Sequence, residues 1–384
     1  MHDALERPLY LDHNATTPLR EEVIDAMLPY LREHWGNPSS GHVYGRRAKQ
    51  AVEEARAQVA GLLGASPDEI VFTSGGTEAN HLAIWGAVTR PGAGARIVTS
   101  CVEHPAVARP LAVLEEEGAE VHRLGVDALG QVCPQQAREA LKGGAELLTV
   151  MHANNETGVL QPIGELAEYA HRAGALVHSD AAQSVGKVAV DVNALGVDLL
   201  SVAGHKLYAP KGVGALYVRR GVALRALMVG AGHEGGLRPG TENVASIVGL
   251  GEACARAQDD LEHEAMRQRR LRDTLFELLC RELPGVRLNG HPQERLPNTL
   301  SVRFDGVSGD ALLAATPEVA ASTGSACHQG QTRASAVILA MGVPAAQAAG
   351  TLRLSLGRAT TAEEVERAAR ALITGWKRCA APRG

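Results

Sequence analysis

Between about residue 66 and residue 220 the chain alternates short apolar runs with segments of helical spacing, which confines it to an α/β fold on a mostly parallel sheet. The predicted strands are Ile70–Thr73, Arg96–Ser100, Glu120–Leu124, Glu146–Met151, Leu176–Ser179, Asp198–Val202 and Gly214–Val218. Helices fit between them, for example Pro105–Glu117 and Ile163–Arg172. Ahead of this block Val23, Ile24, Met27, Leu28 and Leu31 share one helical face, and Gly41–Leu63 reads as a second helix closed by Gly64. Past about residue 243 the character changes. A long charged helix, with Leu271, Leu275, Leu278 and Leu279 on one face, leads into elements at Asn298–Phe304, Ala311–Leu313, Leu352–Ser355 and Ala362–Ile373. With 384 residues, more than one core usually serves, this predicts a large α/β domain and a smaller C-terminal α+β domain.

Composition removes several function classes. A net charge of −5 with aromatics at 3% offers neither a basic field for phosphate backbones nor rings for stacking bases, so nucleic-acid binding is not expected. The six cysteines form no CxxC pair and no zinc spacing, which suits reduced thiols in the cytoplasm. The opening MHDALERPLYLD has no apolar core of a signal peptide, and the uncharged run Ala334–Leu352 contains Gly342, Pro344, Gln347 and Gly350, so it reads as buried helix and turn and not as a membrane span. Only six of the 38 basic residues are lysine. Arginine supplies charge but forms no Schiff base, so each lysine is a candidate for amine chemistry.

Five constellations follow strands, where open α/β sheets bind ligands. Thr73-Ser-Gly-Gly-Thr-Glu-Ala-Asn80 opens a helix after a strand; it reads either as an anion cradle of helix N-terminal amides or as a turn capped by Thr77. Asp180 ends an apolar strand, in the position of a metal ligand, a general base or the partner of a pyridinium nitrogen; no second carboxylate follows at metal spacing. Lys206 in Ser201-Val-Ala-Gly-His-Lys206 is a loop lysine or, if desolvated, a nucleophilic amine. His104 follows the strand RIVTS, where an imidazole either caps or faces a ligand ring. Cys327, among the small polar residues of Ser322-Thr-Gly-Ser-Ala-Cys327-His-Gln-Gly330, is the candidate reactive thiol, while the other five cysteines read as packing residues. An anion cradle, a strand-end aspartate and a strand-end lysine together make the set that pyridoxal 5'-phosphate requires.

These residues, with YLDHNATTP at 10–18, WGNPSS, EIVFTSGGTEAN, VEH, MHANNETG, HSDAAQSVGK, KGVGALYVRR, RPGTENV, GSACH and RLSLGR at 353–358, resemble the cysteine desulfurases of the class V aminotransferase family, the NifS/IscS-like group I type. The resemblance implies fold type I of the PLP-dependent transferases, with a seven-stranded sheet in a large domain (15–255) and a small α+β domain (1–14 and 256–384). It implies a homodimeric cytoplasmic enzyme that converts L-cysteine to L-alanine and passes sulfur, as a Cys327 persulfide, to an acceptor protein in iron–sulfur assembly or other sulfur traffic. Lys206 is then the Schiff-base lysine, Asp180 the carboxylate on the pyridine nitrogen, Gln183 the partner of the phenolic oxygen and His104 the residue over the ring. Gly76, Thr77 and His205 would hold the phosphate, with Thr241 reaching it from the second subunit; Arg353 and Asn155 would grip the substrate carboxylate, assisted by Asn37. Ala203 departs from the serine usual two residues before the histidine of GHK, so a phosphate hydrogen bond is absent or comes from Ser201 or water. Cys327-His328 also resembles the selenocysteine lyases, so L-selenocysteine is the alternative substrate; a noncatalytic binding subunit of the same fold would have no need of Lys206, Asp180, His104 and Cys327 together.

Overall fold

The structure, a computed structural model, describes residues 7–88, 94–323 and 334–380. Its strands are β1 (Leu9–Tyr10), β2 (Ile70–Thr73), β3 (Arg96–Ser100), β4 (Glu120–Leu124), β5 (Leu147–Thr149), β6 (Leu176–Asp180), β7 (Leu199–Ala203), β8 (Gly214–Val218), β9 (Arg287–Leu288), β10 (Thr299–Arg303), β11 (Val319–Ala320) and β12 (Thr351–Ser355). Seven form one sheet in the order β2-β8-β7-β6-β5-β3-β4. Every pairing is parallel except the two made by β8. The expected mostly parallel seven-stranded sheet is therefore present.

Four predicted strands have the expected bounds, and the helix Ile163–Arg172 does too. The run expected at Glu146–Met151 is shorter, because the Met151 amide leaves the ladder and donates to both carboxylate oxygens of Glu103, at 3.0 and 3.1 Å. The uncharged run after Ala334 forms two short helices, Ala336–Ala340 and Ala345–Ala348, ahead of β12, with Gly342 turning at φ +82° between them. Among the described residues no helix is long and apolar enough to cross a membrane.

Apolar side chains pack on both faces of the large sheet: Phe72, Val98, Leu148, Val177 and Leu200 on one, Val71, Ile97, Leu147, Leu199 and Leu216 on the other. A separate core gathers Leu9, Leu11, Leu300, Val302, Leu352, Leu354 and Leu372 around the three-stranded sheet β12-β10-β9. The helix Val244–Glu282 serves both cores, with Ile247, Leu250 and Cys254 in the first and Leu275 and Leu279 in the second. At 39 residues it is about 58 Å long, so the two cores are tied by a rigid rod and not by a flexible linker.

The carboxyl ends of β3, β5, β6 and β7 fall at one edge of the sheet, which brings the loops after them together. Gly214 makes this edge tight. A Cβ there would lie 2.5 Å from the Val202 carbonyl oxygen and 2.7 Å from Gly75 Cα, so only glycine lets β8 pass beneath the Ser74–Gly76 turn.

Candidate active site

At that edge lies a cavity of about 330 Å³, and nine of the twelve residues singled out in the sequence line it: Gly76, Thr77, His104, Asn155, Asp180, Gln183, His205, Lys206 and Arg353. They come from loops as far apart in sequence as residues 76 and 353, and only the sheet brings them together.

The helix Gly76–Ala87 has Gly75 at its N-cap and no side-chain cap. Thr77 is thus not the cap, and the first amides, with the positive end of the helix dipole, remain for an anion. A Cβ on Gly76 would sit 3.1 Å from Ala203 Cβ, so the missing side chain is what keeps this end of the cavity open. Ser201 does not replace the expected serine hydroxyl: its Oγ is fully buried, 3.0 Å from His178 Nε2. The His205 ring, 3.2 Å from Thr16 Oγ1 through Nδ1, is pushed down to about 4 by burial first and then by Lys206, Lys211 and Lys187, so it is neutral at physiological pH.

Asp180 ends β6 and is 6% exposed. Its Oδ2 accepts from Asn80 Nδ2 at 2.7 Å and its Oδ1 from the Ala182 amide at 2.9 Å, which fixes the carboxylate plane. The Lys206 amine is held below its ordinary value by burial, partly countered by Asp180 and reinforced by Arg353. The His104 imidazole is likewise lowered, by burial and then by Lys206. Its Nδ1 accepts from the Ala106 amide at 3.1 Å, so the neutral ring carries its proton on Nε2. Arg353 donates through Nη1 to the Asn155 carbonyl at 2.9 Å and through Nη2 to Asp12 at 2.7 Å. Its Nε is buried with no hydrogen-bond partner among the described residues. Among the described residues Arg353, Lys206 and one carboxylate, Asp180, line the cavity, a donor-rich lining that suits an anionic ligand.

Two predicted site residues, Asn37 and Thr241, are not among the lining residues. Asn37 is exposed, and its Oδ1 accepts from the Ser39 amide at 2.9 Å. Thr241 lines a separate small cleft with Arg238 and Asn243. Cys327 lies outside the described residues. Of the five cysteines expected to be inert packing, only Cys254 is buried, with its thiol pushed up to about 12; Cys101 and Cys280 are exposed. These helical and strand-end positions looked apolar locally, but their faces are turned outward.

The sequence reading missed four residues. Asn14 and Asn80 line the cavity, and Lys187 and Glu103 stand behind it. All four sit inside the quoted motifs, and none has a local pattern that announces its distant partner. Burial holds the Glu103 carboxyl up at about 8, well above 4.5. The folded protein therefore keeps a proton that the unfolded chain releases, and stability falls as pH rises from about 4.5 to about 8. Glu103→Gln removes this titration. The variant's melting temperature relative to wild-type apoprotein should rise across that window, and parallel pH curves would contradict the assignment.

The family model for aminotransferase class-V matches residues 9–368. The chain is 45% identical to cysteine desulfurase 2 of Trichormus variabilis, across 94% of this chain and 90% of that protein. Among solved structures it resembles a NifS-like protein with a TM-score of 0.89 and 34% identity, covering 96% of this chain and 98% of the other. It also resembles SspA, solved in complex with cysteine, with a TM-score of 0.80 and 36% identity over 90% and 98% of the two chains.

Proposed function

The chain belongs to the aminotransferase class-V family, and on that premise we propose that it is a pyridoxal 5'-phosphate-dependent cysteine desulfurase. It converts L-cysteine to L-alanine and carries the sulfur as a persulfide on Cys327. The observation that carries this reading is the convergence of Lys206, Asp180, the uncapped helix start at Gly76–Thr77 and Arg353 in one cavity.

The residues fit the cofactor. Gly76, Thr77 and His205 would hold its phosphate, Asp180 its pyridine nitrogen, Gln183 its phenolic oxygen, His104 its ring face and Lys206 its aldehyde carbon. When bound, the cofactor draws electrons away from the substrate's Cα. The chain's own groups do the rest. Arg353 binds the substrate carboxylate through a donor set that Asp12 and the Asn155 carbonyl keep in place. Lys206 Nζ, its pKa lowered by burial, is the base for the Cα proton. Asp180, held by Asn80 and Ala182, keeps a negative charge at the ring nitrogen. His104 Nε2–H is a donor at the cavity wall. Cys327 Sγ, as a thiolate, attacks the sulfur of L-cysteine, so that an S–S bond forms as the Cβ–S bond breaks; the bond pair stays on Cβ, which takes up a proton, and L-alanine is the organic product.

Thr241 and Asn37, placed away from the cavity of their own chain, are read as contributions to the site of a second subunit in a homodimer. The two cores are read as the large and small domains, joined through the long helix. The described cysteines are all free thiols, which suits the cytoplasm, and the sulfur goes on to an acceptor protein.

The test is to incubate the purified, pyridoxal phosphate-loaded protein with L-cysteine, quantify alanine, and look for one added sulfur on Cys327 by mass spectrometry. Alanine formation that survives intact in Cys327→Ala would sink the persulfide route. Turnover of L-selenocysteine alone would replace the substrate.

A further inference from the structure

We propose that Lys187 is a positioning residue that locks the Gln183 amide so that one of its N–H groups faces the phenolic oxygen of the cofactor. This inference rests on the pyridoxal phosphate reading of the cavity. Lys187 does not line the cavity; it lies behind Gln183, four residues on along a run of successive turns, and is 8% exposed. Its Nζ donates to Gln183 Oε1 at 2.9 Å and to Asn14 Oδ1 at 3.2 Å. On the other side, Gln183 Nε2 donates to the Asn14 carbonyl oxygen at 3.0 Å.

These two bonds leave one orientation. Turning the amide over would set an N–H against the Lys187 N–H and a carbonyl oxygen against the Asn14 carbonyl, two repulsions inside a buried site. Asn14 cannot turn to relieve them. Its Nδ2 donates to Thr299 Oγ1 at 2.8 Å, and its Oδ1 also accepts from Asn298 Nδ2 at 3.0 Å. With Oε1 and one N–H engaged, the remaining Nε2 hydrogen is what Gln183 presents to the cavity it lines.

The groups facing Lys187 are Lys206 and Arg353, which with burial hold its amine well below the ordinary value, and His13, whose own ring is lowered partly by Lys187. The lock does not depend on the charge. A neutral amine still has two N–H groups, enough for Gln183 and Asn14.

A hydrogen bond to the phenolic oxygen favours its ionised form, so losing the donor moves the pH midpoint of the cofactor's visible absorbance upward. In holoprotein loaded with pyridoxal phosphate, Lys187→Met is expected to raise that midpoint by about one pH unit, and Gln183→Leu by a similar amount. Lys187→Met added to Gln183→Leu is expected to raise it little further, whereas Lys187→Arg, which keeps donors, should titrate as wild type. An unshifted Lys187→Met midpoint, or the same shift in both backgrounds, overturns the inference. Should Lys187→Met not fold, Lys187→Leu takes its place in the same cycle. If wild-type protein develops no visible band with pyridoxal phosphate, it is the cofactor reading that fails; a normal band with an unshifted variant removes only the role of Lys187.

Discussion

Lys206→Ala is expected to lower kcat/KM for alanine formation from L-cysteine by at least about a thousandfold and to leave the protein without the visible band of covalently held pyridoxal phosphate. The amine follows β7 in a cavity whose only lining carboxylate among the described residues is Asp180, and burial together with Arg353 holds its pKa below the ordinary value. A lowered pKa makes the amine a readier base and nucleophile. Charge alone does not serve: Lys206→Arg keeps the cation but cannot deprotonate, so it should be as inactive as the alanine variant. Stability moves the other way. Because the folded-state pKa lies below 10.5, the charged amine opposes folding at every pH below that folded value. The Lys206→Ala apoprotein should therefore melt at or above the wild-type apoprotein. Turnover near the wild-type level would refute the assignment, and a large drop in melting temperature would mark Lys206 as a structural tie instead.

The sequence made the sheet legible because strands such as Ile70–Thr73 and Gly214–Val218 are apolar runs bounded by turn residues, a signal held within a few neighbours. The cavity was legible for the same reason: Asp180 and Lys206 follow strands, and strand ends in a parallel sheet converge. What escaped depends on contacts between distant segments. Asn14 meets Asn298 and Lys187 across more than 170 residues, and nothing near residue 14 marks it as the hinge of that network. Glu103 cut β5 short by taking the Met151 amide from 48 residues away. The long helix was predicted from its leucines, yet that it serves two cores follows only from where β9, β10 and β12 fold back. Asn37 shows the converse. The family resemblance names it, but it is not among the residues lining the cavity of its own chain.

Asp180→Asn is the second large effect, with an expected loss of about a hundredfold or more in kcat/KM for L-cysteine. The substitution preserves shape and changes two things. It removes the negative charge that Asp180 sets against the cofactor's ring nitrogen, and it spoils a hydrogen-bond arrangement in which both carboxylate oxygens accept, one from Asn80 at 2.7 Å and one from the Ala182 amide at 2.9 Å. Whichever way an asparagine amide is turned, its NH₂ group opposes one of those donors. Asn80→Ala separates the two contributions. It leaves the charge in place and deletes only the 2.7 Å bond that orients it, so its loss should be nearer tenfold. Alanine formation measured on the two holoproteins should thus rank Asp180→Asn well below Asn80→Ala, and both below wild type. An Asp180→Asn enzyme with wild-type kcat/KM would mean that the carboxylate does not act on the ring nitrogen. Equal losses in the two variants would mean that its orientation matters and its charge does not.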